Sequence, residues 1–295
     1  MKKATTIEEQ IAIIQSRGIE LDWGEEKAKE ILSDIGYFRF GFYCFPFEKD
    51  YPNKKNRTHQ YKKETKFSDI VRLYYLNVDL RNILLKYTAR IEINVRTSII
   101  YSVSNKFIDS PTWFADPKVM HQDYVSSFEK EIYNGLRNNY QVIKDHHRNH
   151  INDRYAPAWK TIEFLSFGAV RKLYSEIKDF GVKTAIANIY GITGSSTFEN
   201  YIKTIIVIRN LCAHSNVLFD KDLPLSISRG PALFIDNTNK HKLYSSIKIV
   251  AYFLGRISES RKVEMMKEIH SLFENHKKYP MIREIIENNI GYRFS

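Results

Sequence analysis

Residues 67–107 read FSDIVRLYYLNVDLRNILLKYTARIEINVRTSIIYSVSNKF. Apolar side chains recur in this stretch at intervals of three and four, at Ile70, Leu73, Leu76, Leu80, Ile83, Leu84, Tyr87 and Ile91, and then at Ile93, Val95, Ile99 and Val103. Such spacing puts them on one face of a helix and predicts a single long amphipathic helix. With only 12 Gly and 8 Pro in 295 residues, the chain as a whole predicts an all-α helical bundle.

Helical spacing also occurs on both sides of this segment. Thr6 to Ser16 opens with a Thr-x-x-Glu capping pattern, and Trp23 to Gly36 follows it. The sequence predicts later helices at 128–150, 159–174, 183–190, 198–214, 242–257 and 261–276, with a turn at Gly181. Residues 218–238 predict a long ordered connection or a short hairpin close to the functional site. We expect two closely packed parts, an N-terminal helical module with a basic loop at 1–66 and a helical domain at 67–295.

The charge balance indicates an acidic partner. Lys and Arg exceed Asp and Glu by 11, and such a positive field favours association with polyanions. Nucleic acid is the first candidate and an anionic membrane surface the second, but the second needs a basic amphipathic helix that the sequence lacks. Without an apolar run of about 18 residues or a signal-peptide core, we expect a soluble protein that stays in the cytoplasm. Cys44 and Cys212, the only cysteines, are expected to be packed thiols.

Two neighbouring segments are candidates for contact with RNA. Lysines and arginines dominate residues 49–66, where Lys54, Lys55, Arg57, Lys62 and Lys63 are expected to touch phosphate, although such a run also suits a solvated face. Before it, residues 35–47 read IGYFRFGFYCFPF. These rings and Arg39 are typical of base stacking, or else the rings form a small hydrophobic core that tethers the first helices.

The hexapeptide Arg209-Asn210-Leu211-Cys212-Ala213-His214 assembles the parts of a metal-free ribonuclease site. Histidine moves protons near neutral pH, and arginine neutralises charge on phosphate. Five residues on a straight helix turn through about 140°, so Arg209 and His214 point in different directions. Either the helix ends near Ala213, or two copies of the motif face each other across a homodimer, with Leu73, Leu80 and the motif helix as interface candidates. A helix-capping histidine beside a surface arginine is the structural alternative.

The sequence gives little support to a metal site or a nucleotide-binding site. His146 and His150 have the i, i+4 spacing of helical metal ligands, but no nearby Glu suits a zinc hydrolase, and a polar helix end or an RNA contact explains them as well. The chain has no CxxC, GxxxxGK or GxGxxG pattern. We therefore expect no metal and no cofactor.

Several ordered motifs together resemble one family. Arg17-Gly18, residues 35–39, Pro157-Ala158-Trp159, residues 163–168 and the motif itself are similar to the Abi family of abortive-infection phage-resistance proteins, of the AbiD/AbiF type, from about Gln10 to the final helices. The resemblance implies an all-helical HEPN domain, kinship with the nuclease domains of type VI CRISPR effectors, and a small structured noncoding RNA as a frequent partner. After His214, residues 215–220 depart from the second histidine and the Arg-Leu-x-Asn pattern that the family often has.

Residues and resemblance together predict a dimeric, metal-independent endoribonuclease. His214 is expected to move the proton, Arg209 to neutralise the phosphate, and Asn210 to orient His214 or the phosphate. The products would carry 2′,3′-cyclic phosphate and 5′-hydroxyl ends. A non-catalytic RNA-binding protein that holds a structured small noncoding RNA is the alternative.

Overall fold

The computed structural model describes residues 3–219, 226–232 and 240–294. Within these ranges the regular elements are helices, and strand-like pairing is limited to isolated bridges such as the one between Glu20 and Lys66. The all-α prediction is confirmed. None of the helices in these ranges is both long and apolar enough to cross a membrane. Most of the predicted connection at 218–238 lies outside the described residues.

Fourteen α-helices can be assigned in the described ranges. The first seven are α1 Ile7–Ser16, α2 Glu25–Ile35, α3 Tyr37–Cys44, α4 Phe67–Lys106, α5 Gln122–Phe128, α6 Asn134–Asn139 and α7 Gln141–Asn149. The others are α8 Ala158–Thr161, α9 Phe167–Ser175, α10 Phe180–Ile189, α11 Ser195–Ala213, α12 Leu243–Ile257, α13 Glu259–His276 and α14 Pro280–Ile285. Short 3₁₀ turns lie at Phe45–Phe47, Trp113–Ala115 and Ile162–Phe164, and π turns at Glu129–Tyr133 and Ile286–Ile290.

The predicted long helix is confirmed as α4, which has 40 residues. Helices α3, α10, α11, α12 and α13 all pack against it. Most of its predicted apolar face is buried, but Ile83 is only half-buried and Ile93 is 49% exposed. Leu73 and Leu80 lie wholly inside the core of a single chain. They are therefore wrong as interface residues, since no surface of theirs is left to meet a second copy.

Three predicted helix boundaries are wrong, and local capping explains two of them. The stretch 128–150 is interrupted by a π turn and then by Tyr140, whose φ of −111° and ψ of 121° are extended. The stretch 159–174 breaks at Leu165 because Ser166 caps a new helix by accepting from the Ala169 N–H. Gly181 lies inside α10, because Asp179 accepts from the Val182 N–H and starts the helix ahead of it.

The N-terminal residues share one continuous core with the rest of the described chain, from Ile11 to Tyr292. The predicted capping box is present, with Thr6 accepting from the Glu9 N–H and the Glu9 carboxylate accepting from the Thr6 N–H. The division at residue 66 stays a prediction. Cys44 and Cys212 are buried free thiols, as predicted, and burial raises the pKa of each to about 12.

Candidate functional site at the end of the motif helix

The motif helix α11 ends at Ala213, and His214 is the first residue beyond it. The His214 N–H donates to the Asn210 carbonyl at 3.0 Å, and the Asn216 N–H donates to the Leu211 carbonyl at 2.9 Å. Between them Ser215 takes the left-handed conformation with φ 54°, which residues with a Cβ seldom adopt. The chain thus turns sharply at the histidine, and the helix ends at Ala213, as in the first of the two predicted alternatives.

A buried asparagine holds this turn against the rest of the protein. Asn77 on α4 donates through Nδ2 to the Tyr43 hydroxyl at 3.0 Å and to the Asn216 carbonyl at 3.3 Å. Its Oδ1 accepts from the Leu218 N–H at 2.9 Å. Sequence reasoning missed this residue, although a polar side chain beside Leu73, Leu76 and Leu80 in an apolar stripe was a usable signal. Its three hydrogen bonds tie the segment after the motif to α3 and α4.

Arg209 points toward α4. Its Nε lies 3.5 Å from a carboxylate oxygen of Glu92, and its Nη1 donates to the Asn210 Oδ1 at 3.2 Å. The other Glu92 oxygen accepts from Arg96, a buried arginine that also donates to the Leu165 carbonyl at 3.0 Å. Glu92 was missed as well, although its i, i+4 spacing to Arg96 is a common ion-pair pattern. The motif arginine is therefore held by a carboxylate, and Asn210 contacts this arginine rather than the ring of His214.

His214 lies in a different place, a cleft of about 480 Å³. The lining residues are Arg39, Gly41, Phe42, Phe45, Lys54, Arg57, His214, Ser215, Asn216 and Val217. None of these is acidic, and neither Arg209 nor Asn210 is among them. Within the described part of the chain, the exposed His214 ring has no hydrogen-bond partner. A single chain thus gives the histidine a basic cleft but does not bring the motif arginine into it.

The N-terminal residues build one side of this cleft. Arg39 on α3 donates through Nη1 to the Ser215 carbonyl at 3.1 Å. Phe40 and Tyr43 are wholly buried, whereas Phe42 is 47% exposed and lines the cleft. The aromatic run therefore divides between the two predicted alternatives. Four of its seven rings are buried in the expected hydrophobic core, whereas Phe38 and Phe42 are exposed, and base stacking on them stays a prediction.

A buried carboxylate fixes another wall of the cleft. Arg57 donates to Glu48 through Nε at 2.8 Å and through Nη2 at 2.5 Å, and His59 Nδ1 lies 3.1 Å from the same carboxylate. Burial raises the pKa of Glu48, but the hydrogen bonds from Arg57 and His59 outweigh it, so the pKa is lowered overall. The Arg57 guanidinium lies 4.3 Å from the centre of the Phe45 ring. Much of its charge is thus neutralised within the protein.

The lysines of the basic loop do not form one surface around the cleft. Lys54 lines it, 5.9 Å from the centre of the Phe45 ring. Lys62 lines a second cavity of about 250 Å³ beside α14. Lys55 and Lys63 are exposed and line neither cavity. The predicted contacts of these lysines with RNA stay predictions, and only Lys54, Arg57 and Arg39 share the cleft with His214.

The histidines of α7 have partners inside the protein. His146 Nε2 lies 3.1 Å from a carboxylate oxygen of Asp153, and its ring stacks on that of His150. His147 Nε2 lies 2.8 Å from the Tyr133 hydroxyl. Burial is the main cause that lowers the pKa of His146 and of His147. In the described residues no three His, Cys, Asp or Glu side chains are placed to hold a metal ion.

Comparison with known proteins gives one result. No curated protein and no solved structure matches the chain. A family model described as "Abi-like protein" matches residues 30–220. This span runs from α2 through the aromatic run, the basic loop, Glu92 and the motif to the segment after His214, and it covers more than half of the chain. The chain therefore belongs to the Abi-like protein family.

Proposed function

We propose that this Abi-like protein acts in abortive-infection phage defence as a HEPN-type endoribonuclease that cuts RNA without a metal ion. One observation carries the proposal. The exposed His214 lies at the end of the motif helix in a cleft of about 480 Å³, and the described residues that line this cleft include three basic side chains and no acidic one. The excess of 11 positive charges over the whole chain supports a polyanionic substrate.

The chemistry needs one proton carrier and one fixed cation. The RNA 2′-oxygen attacks the neighbouring phosphorus while its proton passes to a base, the bond from phosphorus to the 5′-oxygen breaks, and that oxygen takes up a proton. The products are a 2′,3′-cyclic phosphate and a 5′-hydroxyl. His214 moves one of these protons, and Arg209 neutralises the charge that builds up on the phosphate. Glu92 orients Arg209, because its carboxylate lies 3.5 Å from the guanidinium Nε.

A homodimer completes the proposed site. Arg209 does not line the cleft that contains His214 of the same chain, although the helix ends near Ala213, as one of the two alternatives predicted. A second copy with its motif facing the first would supply an arginine to each histidine. Symmetric pairing of one motif with itself also explains why a single motif per chain suffices.

The alternative function is an RNA-binding protein that holds a structured small noncoding RNA. One observation favours it, because nothing in the described chain orients the His214 ring. An idle histidine at a helix end needs no orientation, whereas a proton carrier works best when a neighbour fixes its ring. The two functions share the RNA and the basic cleft, and they differ in turnover.

The test compares purified wild type, His214→Ala and His121→Ala on mixed cellular RNA in EDTA. His121 is an exposed histidine at the start of α5 and serves as the matched control. We expect His214→Ala to lower the rate by roughly 10²–10⁴-fold, the usual worth of general acid–base catalysis, with an unchanged melting temperature because the ring is exposed. His121→Ala should cut like wild type, and both should leave cyclic-phosphate ends.

Other outcomes would count against the proposal. Cleavage that stops in EDTA would contradict metal independence, and full activity in His214→Ala would remove the histidine from the mechanism. Intact RNA with all three proteins, together with one structured RNA that co-purifies with each, would favour the binding protein.

A further inference from the structure

Helix α3 has two phenylalanines on its outward face next to the cleft. Phe38 and Phe42 are 81% and 47% exposed, and their ring centres lie 5.0 Å apart in an edge-to-face arrangement. Phe42 lines the cleft that contains His214. The inward face of the same helix packs in the core, where Phe40 and Tyr43 are wholly buried. Among the described residues, this aromatic pair therefore lies outside the hydrophobic core.

The cation beside these rings is available to a ligand. Arg39 lies between them in sequence and donates to the Ser215 carbonyl, which neutralises no charge. Among the described residues no carboxylate comes within ion-pair distance of it, in contrast to Arg57, which Glu48 neutralises. Because none of the described residues that line the cleft is acidic, the positive charge of Arg39 is complementary to a phosphate.

Rings, cation and cavity together match one kind of ligand. An unpaired nucleobase stacks on exposed aromatic rings while an arginine holds its phosphate. The cleft volume of about 480 Å³ lies within the roughly 300–1,000 Å³ that is usual for small-ligand sites. A base inside a duplex has no free face to offer, so the same surface discriminates against paired RNA.

We propose that α3 supplies a nucleobase subsite, in which an unpaired RNA base stacks on Phe42, with Phe38 at its edge and Arg39 on its phosphate, directly beside His214. This subsite deepens the proposed ribonuclease and rests on it. It places the choice of the cut in the N-terminal helices rather than in the motif. RNA that is unpaired next to the scissile phosphate is then the preferred substrate.

Binding tests the subsite without turnover when all variants carry His214→Ala. The probes are a short single-stranded oligoadenylate RNA, its duplex with oligouridylate, and inorganic polyphosphate, which has the charge but no bases. We expect Phe42→Ala to weaken oligoadenylate binding roughly 5-fold to 150-fold, the usual worth of one stacked base, and to leave polyphosphate binding unchanged. Phe42→Leu, which keeps apolar volume without a ring face, should lose nearly as much.

A direct readout and a matched control complete the design. Phe42→Trp puts a fluorescent ring into the cleft, and oligoadenylate should quench the added fluorescence more strongly than the duplex or polyphosphate does. Phe180→Ala serves as the control, since Phe180 is also exposed but lies at the start of α10 and does not line the cleft. It should bind oligoadenylate as the parent does.

The outcomes separate this subsite from the ribonuclease itself. Unchanged affinity in Phe42→Ala, or equal binding of duplex and single strand, would overturn the subsite while the cyclic-phosphate ends of wild-type products still established the nuclease. A change of oligomeric state in Phe42→Ala would show that the face is a protein interface and would also overturn it. Conversely, Phe42-dependent binding without any cleavage by wild type would overturn the nuclease and keep the base contact.

Discussion

Arg209 and His214 are five residues apart in one motif, yet their surroundings differ in kind. The arginine is two-thirds covered, held by the Glu92 carboxylate on α4 and in contact with Asn210. Through Glu92 it connects to the buried Arg96, which is anchored on the Leu165 carbonyl. The histidine is exposed at a sharp turn, in an open cleft, and its ring has no hydrogen-bond partner in the described chain.

This contrast indicates which half of the site a single chain prepares. A cation that stabilises charge acts best when its position is fixed before the reaction, and α4 provides that for Arg209. A proton carrier needs a defined ring orientation, which the chain alone does not give to His214. Under the proposed function this orientation would come from the RNA or from a second copy of the chain, and the following experiments test that difference.

The largest expected effect comes from mixing two inactive proteins. We expect Arg209→Ala and His214→Ala each to be inactive, and a mixture that is unfolded and refolded together to regain about a quarter of wild-type activity. In a symmetric dimer half of the refolded pairs are mixed, and each mixed pair has one site with an intact arginine from one chain and an intact histidine from the other. The measurement is the rate of RNA cleavage in EDTA.

The same mixture distinguishes the alternative arrangement. If arginine and histidine of one chain serve the same site, no mixed pair contains an intact site and the mixture stays inactive. Each variant mixed with wild type serves as the control for refolding. Recovery in those controls with none in the double mixture would show that Arg209 and His214 act within one chain.

A smaller effect is expected at the carboxylate that holds the arginine. Glu92→Gln leaves the buried Arg96 with only the exposed Glu163 as a charged partner, and the loss of a charged hydrogen bond should lower the free energy of unfolding by about 1.5–3 kcal/mol. Glu163 lies 3.6 Å from Arg96 but is 55% exposed. Glu163→Gln should therefore lower the free energy of unfolding by less than about 1 kcal/mol. Urea denaturation of both variants measures the difference, and equal losses would show that Glu92 has no special part.

Catalysis should separate these two glutamates further. Because Glu92 also orients Arg209, Glu92→Gln should slow cleavage roughly 10-fold to 100-fold, whereas Glu163→Gln should not. Cleavage rates in both variants, measured well below their melting temperatures, give the comparison. A wild-type rate in Glu92→Gln would show that the motif arginine does not depend on α4.

The positions of the main helices were predictable because the spacing of nearby residues determines them. The period of the apolar residues predicts α4 over almost its full length, and Thr6 with Glu9 predicts the start of α1. The end of α11 at Ala213 matches one of the two alternatives that the spacing of the motif left open. Helical spacing also explains why the aromatic run is divided between core and surface. Phe38 and Phe42 are four residues apart and fall on the face opposite Phe40.

The cleft was not predictable, because residues far apart in sequence build it. Arg39 meets Ser215 across 176 positions, and Asn77 meets Leu218 across 141. Glu92 meets Arg209 only once α4 and α11 have packed together. Periodicity assigns such residues to a face of a helix but does not say which distant segment covers that face. The residue types of the motif were therefore visible in the sequence, and their surroundings were not.

The smallest effect concerns the wall beside His214, where Glu48 holds Arg57. The folded-state pKa of Glu48 is lowered from its ordinary 4.5, since hydrogen bonds from Arg57 and His59 outweigh its burial. A carboxyl with a depressed pKa stabilises the fold fully above its ordinary pKa, and this contribution is lost as the pH falls through the folded-state pKa. Wild type should therefore lose stability below about pH 4.5 more steeply than Glu48→Gln.

Denaturant titrations between neutral pH and pH 3 measure this difference. In an Arg57→Met background fewer hydrogen bonds oppose the effect of burial, so the pKa of Glu48 should be lowered less. The loss of stability that Glu48 causes at acid pH should therefore shrink. An unchanged loss there would assign the depressed pKa to His59 instead. If Glu48→Gln follows wild type at every pH, the carboxylate does not hold this wall. The cleft wall beside His214 would then lack a fixed position, as the His214 ring does. The surroundings of His214 would differ even more from those of Arg209.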